Sequence, residues 1–268
     1  MRLLRRAACV LLTIVAVLSL FSGFIAPHDY AMQFRDQPNA GPSSKFPLGT
    51  DDLGRDRFSR LLAGSRISLL WAPAAALAAT VIAAAVGTTA GYLGGWLDQA
   101  ASIAIDLFLS LPWLFAVLTV RALLPLNASA WVSTAATFLL LAAIGWAPGA
   151  RVVRASVAKM RHSGPILHAR VCGCHGARLF VFHLAPNLQP VLSAQFWVLI
   201  PVFLLAEANL GLLGLGIAEP VPSLGSMLVE LQNYERIPEA PWVLAPAALL
   251  AVIIGSLHIV VSGRDTWE

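Results

Sequence analysis

Apolar runs of bilayer length constrain this chain more than any other feature. They lie at about 7–26, 67–93, 100–124, 129–146, 191–217 and 242–262. A helix needs about 20 such residues to cross roughly 30 Å of hydrocarbon. Inside lipid the backbone must satisfy its own N–H and C=O groups, so runs this long and uniform imply helices rather than open sheet or loop. Composition agrees: 58% of the 268 residues are hydrophobic, 12% are charged, and mean hydropathy is +0.75. The expected fold class is all-α, a polytopic membrane protein with about six transmembrane helices.

Charge sets the expected orientation. Residues 148–190 carry Arg151, Arg154, Lys159, Arg161, Arg170 and Arg178 and no Asp or Glu. Lys and Arg beside span ends are retained in the cytoplasm, so this segment is read as a cytoplasmic loop. Six spans then put both termini on the cytoplasmic side and the loops at 27–66, 125–128 and 218–241 outside. The 27–66 loop is mixed in sign, with Asp29, Asp36, Asp51, Asp52 and Asp56 against Arg35, Lys45, Arg55, Arg57, Arg60 and Arg66. The N-terminal run follows Arg2, Arg5 and Arg6 and lacks a small-x-small cleavage site, which favours an uncleaved anchor over a signal peptide. The net charge of +4 is local to the N-terminus and the central loop and comes with no nucleic-acid motif. Its expected partners are membrane lipid and protein, not nucleic acid. Cys9, Cys172 and Cys174 imply no disulfide framework.

Few residues invite chemistry. No Walker-type loop is present, so ATP must be hydrolysed on another chain if it is used. Two acids stand at or within spans, Asp106 and Glu207; a carboxylate in hydrocarbon is costly and normally faces a bundle interior, a polar cavity or a partner. Both are candidates for a translocation pathway, with a structural hydrogen bond as the alternative. Gly211, Gly214 and Gly216 permit close packing or a bend after Glu207. Thr50 and Asp51 are expected to cap a short helix over about 53–62. The central loop predicts a helix at 166–172, a turn at Gly173 and a second helix over 177–184 that stops at Pro186. Such a helical knob suits a groove on a cytoplasmic partner. His168, Cys172, Cys174 and His175 offer soft ligands at short spacing, but Cys-x-Cys without a second pair argues for packing rather than metal.

These segments resemble a known family. Ala26-Pro-His-Asp29, Pro47-Leu-Gly-Thr-Asp-Asp-Leu-Gly-Arg-Asp56 and the Ser59–Leu69 stretch look like the N-terminal half of bacterial ATP-binding-cassette importer permeases, specifically the second permease subunit of dipeptide, oligopeptide and nickel systems. Asp98 and Asp106-Leu-Phe-Leu-Ser-Leu-Pro112 match the family's third span, and His183-x-x-Pro-Asn187 the end of its coupling loop. Leu205–Gly216 and Pro222-Ser-x-Gly225 match its fifth span and following loop. The resemblance implies a bacterial inner-membrane subunit that pairs with a homologous permease, two cytoplasmic ATPase subunits and an external solute-binding protein. ATP and Mg would sit on the ATPases, with no cofactor or metal on this chain and no enzyme activity of its own. It divides the chain into an anchor helix with external loop (1–66) and a five-helix core (67–268) with the coupling loop at about 148–190. The coupling surface is expected at Leu167, His168, Ala169, Arg170, Gly173, His183, Pro186 and Asn187. One departure stands out: where the family usually has Glu-Ala-Ala followed by three residues and Gly, this chain aligned on Gly173 has Leu167, His168 and Ala169. Phe46 likewise replaces the usual His.

The expected function is ATP-driven import of peptides or a related small solute. The alternatives are nickel import, a proton-coupled secondary transporter using Glu207 and Asp106, and a metal sensor built on Cys172 and Cys174.

Overall fold

The computed structural model describes residues 2–122, 129–233 and 237–262. The expected all-helical, multi-span architecture is what forms; among the described residues there are two isolated antiparallel bridges, Gln33 with Arg55 and Thr50 with Asp56, and no strand. Helix α1 spans Arg2–Leu20 and α2 Ser22–Ile25, followed by the long loop to α3, Arg57–Leu93. Then come α4 (Gly95–Ser110), α5 (Trp113–Ala122), α6 (Ala130–Gly145), α7 (Ala147–Arg161), α8 (Gly164–Val171) and α9 (Gly176–Leu179). A π-helical turn at Phe180–Leu184 leads into α10, Ala185–Leu212; α11 is Leu224–Met227 and α12 Ala245–Ser262. Among the described residues five helical stretches are long and apolar enough to cross a bilayer, and a sixth is made by α4 with the start of α5. The expected end of the third span near Leu124 and the 125–128 loop lie outside the described residues.

Three expectations about elements are corrected. The helix expected over about 53–62 is not separate: α3 begins at Arg57 and continues into the span for 37 residues, about 55 Å. Its start is held by Asp56 rather than by Thr50 and Asp51. Asp56 Oδ1 accepts the Phe58 N–H at 3.1 Å and Oδ2 accepts the Ser59 hydroxyl at 2.5 Å. Asp51 instead forms a turn, its Oδ1 accepting the N–H groups of Leu53 (3.0 Å) and Arg55 (2.7 Å). The third span is broken at Leu111-Pro112, where α4 and α5 meet at an 85° bend. Proline there cannot donate to the preceding turn and its ring crowds the carbonyl four residues back. Pro186, finally, does not stop a helix. The π-helical turn Phe180–Leu184 passes directly into α10, and this wider turn is where Pro186, the second residue of α10, is accommodated despite its missing N–H. Asn187 Nδ2 donates to the His183 carbonyl at 2.6 Å, supplying a donor there.

The chain divides into two compact units. One comprises Met1–Pro73, Arg121–Leu139 and Ile200–Glu268; the other comprises Ala74–Val120 and Leu140–Leu199. In the first, α1 lies along α12, with Leu3, Val10 and Phe24 exposed as lipid-facing side chains are. In the second, α7 packs against the later turns of α3. Gly87 and Gly91 allow it: a Cβ on Gly87 would stand 2.7 Å from the Ala150 carbonyl oxygen, and one on Gly91 2.6 Å from that of Arg154. Small residues spaced by four let helix backbones approach in lipid.

Candidate functional site

The knob between α7 and α10 is built from the inside out. Val153 and Val157 of α7, Ile166 and Ala169 of α8, Leu179, Leu184 and Leu188 form one buried cluster, with Tyr92, Met160, Cys174, Val191 and Leu192 against it. Helix α8 ends as residue types predict: Gly173 takes φ +81°, its N–H bonds the Arg170 carbonyl at 3.0 Å, and the Cys174 N–H bonds that of Ala169 at 3.0 Å. This paired capping needs a left-handed residue after the helix, which glycine adopts without steric cost. Arg170 lies over the Tyr92 ring at 5.5 Å. Two ion pairs anchor α7 to α4: Arg154 donates to both oxygens of Asp98, from Nε to Oδ1 and from Nη2 to Oδ2 at 2.8 Å, and Arg151 pairs with Asp106 on an exposed surface.

The outer face of this knob is apolar and basic. Leu167 is 47% exposed and Val171 88%; Val181, Phe182, His168 and Arg178 are exposed as well. Cys172, Gly173, Cys174, Arg178, Phe182 and His183 line a recess of about 420 Å³. His183 Nδ1 is buried without a hydrogen-bond partner. Cys172 and Cys174 are free thiols, with Cys172 Sγ 3.7 Å from His168 Nδ1; among the described residues no group of three ligating side chains gathers. Of the eight residues expected on the coupling surface, Leu167, His168, Gly173, Pro186 and Asn187 are exposed, Arg170 and His183 are half-buried, and Ala169 is buried in the knob's core.

Glu207 occupies a different setting, inside the first unit. It is 0% exposed. Its Oε1 accepts the Ser223 hydroxyl at 2.5 Å, and Oε2 accepts the Ser68 hydroxyl at 3.2 Å and the Gly225 N–H at 3.3 Å. Ser68 Oγ also accepts the Leu224 N–H at 3.2 Å. Ser223 caps α11 reciprocally with Ser226, accepting its N–H at 3.0 Å. The carboxylate therefore holds α11 against α3 and α10, with every donor it meets pointing inward. Glycines make the approach possible, because a Cβ on Gly225 would meet the Glu207 carbonyl oxygen at 2.5 Å and one on Gly211 would overlap the Gly225 backbone. Among the described residues Glu207 and Asp106 share no partner.

A charged cluster closes the polar side of the same unit. Arg55 Nε donates to Asp51 Oδ2 at 2.6 Å and its Nη1 to Glu219 Oε2 at 2.7 Å; Arg60 Nη2 donates to Glu219 Oε1 at 2.9 Å. Arg57 pairs with Glu230 at 2.8 Å. All three arginines are buried, which their place in a mixed-charge loop did not foretell. Burial pushes the Glu230 carboxyl above the usual glutamate range, opposed in part by Arg57. Ser68 and the clamp roles of Ser223 and Gly225 also escaped the sequence reading. The spacing Pro222-Ser-x-Gly225 was the one trace of them.

Residues 79–263 match the sequence model of a family described as binding-protein-dependent transport system inner membrane component. The chain is 34% identical over 231 residues to the oligopeptide transport system permease protein OppC of Mycobacterium tuberculosis, covering 85% of this chain and 77% of that one. It is 28% identical over 261 residues to the dipeptide transport system permease protein DppC of Alkalihalophilus pseudofirmus, covering 97% and 83%. It is also 32% identical over 233 residues to the nickel transport system permease protein NikC of Escherichia coli, covering 85% and 80%.

Proposed function

We infer function from one premise: this chain belongs to the family of binding-protein-dependent transport system inner membrane components, the permease subunits of ATP-driven importers. It is a multi-pass membrane subunit of that kind. Its cargo is a peptide, the reading supported by relatives named for oligopeptide and dipeptide transport; the relative named for nickel makes that ion the competing cargo. Both termini and the 148–190 knob face the cytoplasm. A homologous permease subunit, two ATPase subunits and an external solute-binding protein complete the importer, with ATP and Mg on the ATPases. This chain hydrolyses nothing itself.

The observation that carries this reading is the knob. It has its own buried core and a glycine-capped turn, and presents exposed Leu167, Val171 and Phe182 beside Arg178. A rigid body of this shape transmits motion because its packed interior does not deform continuously. Leu167 stands where the family carries a glutamate, so the ATPase groove meets an apolar side chain there instead of a carboxylate. Glu207 serves as a clamp between α10 and α11 rather than as a group in the open pathway, and Asp106 braces α7 through Arg151.

The test compares two substitutions at one position. A Cβ on Gly173 meets nothing within 4 Å, so Gly173→Ala adds backbone strain alone, about 1–2 kcal/mol. Gly173→Trp adds the same strain and bulk on the docking face. Tryptophan should abolish ATPase co-purification and ATP-dependent peptide uptake, with alanine retaining most of both. Wild-type uptake in the tryptophan variant would remove the knob from coupling. Uptake of radiolabelled nickel but not of labelled peptides would reassign the cargo.

A further inference from the structure

A cavity of about 640 Å³ opens in the first unit where three segments change from polar to apolar. Ser22, Gly23 and Ala26 line it just after α1 ends; Ser59, Ala63, Arg66, Ile67, Leu70 and Trp71 come from α3, at the point where the polar loop gives way to the run beginning at Ile67. Trp131 comes from the first turn of α6. Its lining turns from polar to apolar where these segments meet and includes two tryptophans, residues favoured at the boundary between headgroups and hydrocarbon.

Its polar end carries charges that the fold leaves free. Arg66 is exposed and, among the described residues, forms no hydrogen bond or ion pair, whereas Arg55, Arg57 and Arg60 before it on the chain are buried and paired. Asp29 uses Oδ1 to accept the Ala31 N–H at 2.8 Å, and among the described residues its other oxygen accepts no hydrogen bond. His28 is committed: its N–H bonds Ser59 Oγ at 3.2 Å, and its ring meets Asp56 at 3.4 Å and packs on Phe34 and Phe46. The apolar end is Ile67, Leu70, Trp71 and Trp131, the last 57% exposed.

We propose that this cavity is a binding site for a zwitterionic aminophospholipid. The phosphate sits on the Arg66 guanidinium, whose fork of donors matches phosphate oxygens. The ammonium faces the Asp29 carboxylate, and the first acyl segment lies along Leu70, Trp71 and Trp131. A free anion would leave the apolar wall wet and Asp29 repelling it. An uncharged acyl chain would leave Arg66 without a partner. One molecule with both charges and a tail satisfies all three surfaces. This assignment holds whatever cargo the protein carries.

The full chain, purified in mild detergent with whatever subunits accompany it, is loaded with equal phosphatidylethanolamine and phosphatidylglycerol, and retained lipid is counted by native mass spectrometry. Arg66→Ala should lower the affinity for the most tightly held lipid about tenfold, the loss of a hydrogen bond to a charged group. Arg66→Lys should restore most of it, which a variant that had merely misfolded would not. Asp29→Asn should abolish the preference for phosphatidylethanolamine. Excess inorganic phosphate should displace nothing; displacement would assign the site to a soluble anion and overturn the proposal. Equal lipid retention by wild type and Arg66→Ala, or no headgroup preference in the wild type, would overturn it as well.

Discussion

At the scale of residues, the Glu207 carboxylate shows what a buried charge-bearing group requires. Ser68, Ser223 and Gly225 each direct a donor at it, so removing one donor costs more than the bond itself. Ser223→Ala also deletes the cap of α11, and the two losses together should lower stability by about 2 kcal/mol. Thermal unfolding in detergent reads this directly, and an unchanged midpoint would contradict the clamp. Glu207→Gln should lose part of the stability, because its amide oxygen still accepts the Ser223 hydroxyl but its NH2 faces the Gly225 N–H, while Glu207→Ala should lose more stability and uptake with it. Full stability with lost uptake in Glu207→Ala would return this residue to the pathway. Glu230 predicts a pH effect. In the unfolded chain a glutamate ionises near its ordinary value of about 4.3. The folded carboxyl holds its proton to higher pH, because burial disfavours the charge. Its contribution to stability is therefore full below the ordinary value and is lost as pH rises toward the folded one. Hydrogen-exchange protection of the segment 224–233 should fall across that interval and be flat there in Glu230→Gln. Protection that rises with pH would reverse the sign.

At the scale of elements, close approach decides which helices meet. Gly91→Val places a Cβ 2.6 Å from the Arg154 carbonyl oxygen and 2.9 Å from Val157 Cβ, and should cost about 1–3 kcal/mol by overpacking. Gly255→Ala in α12 meets nothing within 4 Å and should be neutral or slightly stabilising, so the pair separates crowding from loss of glycine. Equal midpoints for the two variants would deny the packing of α7 on α3. The spans were legible because length and uniform hydropathy are properties of one segment. The turn at Gly173 was legible for the same reason, since a left-handed cap is local. The helix through Pro186 was not, because it depends on a π-helical turn that composition does not mark. Nor was the burial of Arg55, Arg57 and Arg60, whose acidic partners include Glu219 and Glu230, more than 150 residues further along the chain. The bend at Pro112 was half-legible: the proline was evident in the run, its 85° consequence was not.

At the scale of the whole molecule, belonging to an importer predicts company. Wild-type chain should co-purify with a second permease subunit and with ATPase subunits, and transport should follow ATP rather than the proton gradient. Uptake that survives ATP depletion but collapses with the gradient would favour a secondary transporter instead. The charged cluster adds a constraint on biogenesis. Arg55 and Arg60 wait for Glu219, which lies 164 and 159 residues later. At about 5–20 residues per second, translation delivers that partner on the order of ten seconds after the arginines. Until then their positive charges have Asp51 alone, so this half of the protein matures last to first: its earliest loop is finished by nearly its latest. A nascent chain stalled before Glu219 would leave one carboxylate, that of Asp51, between two guanidiniums, so the charge balance of the earliest loop is completed only once residue 219 has been made.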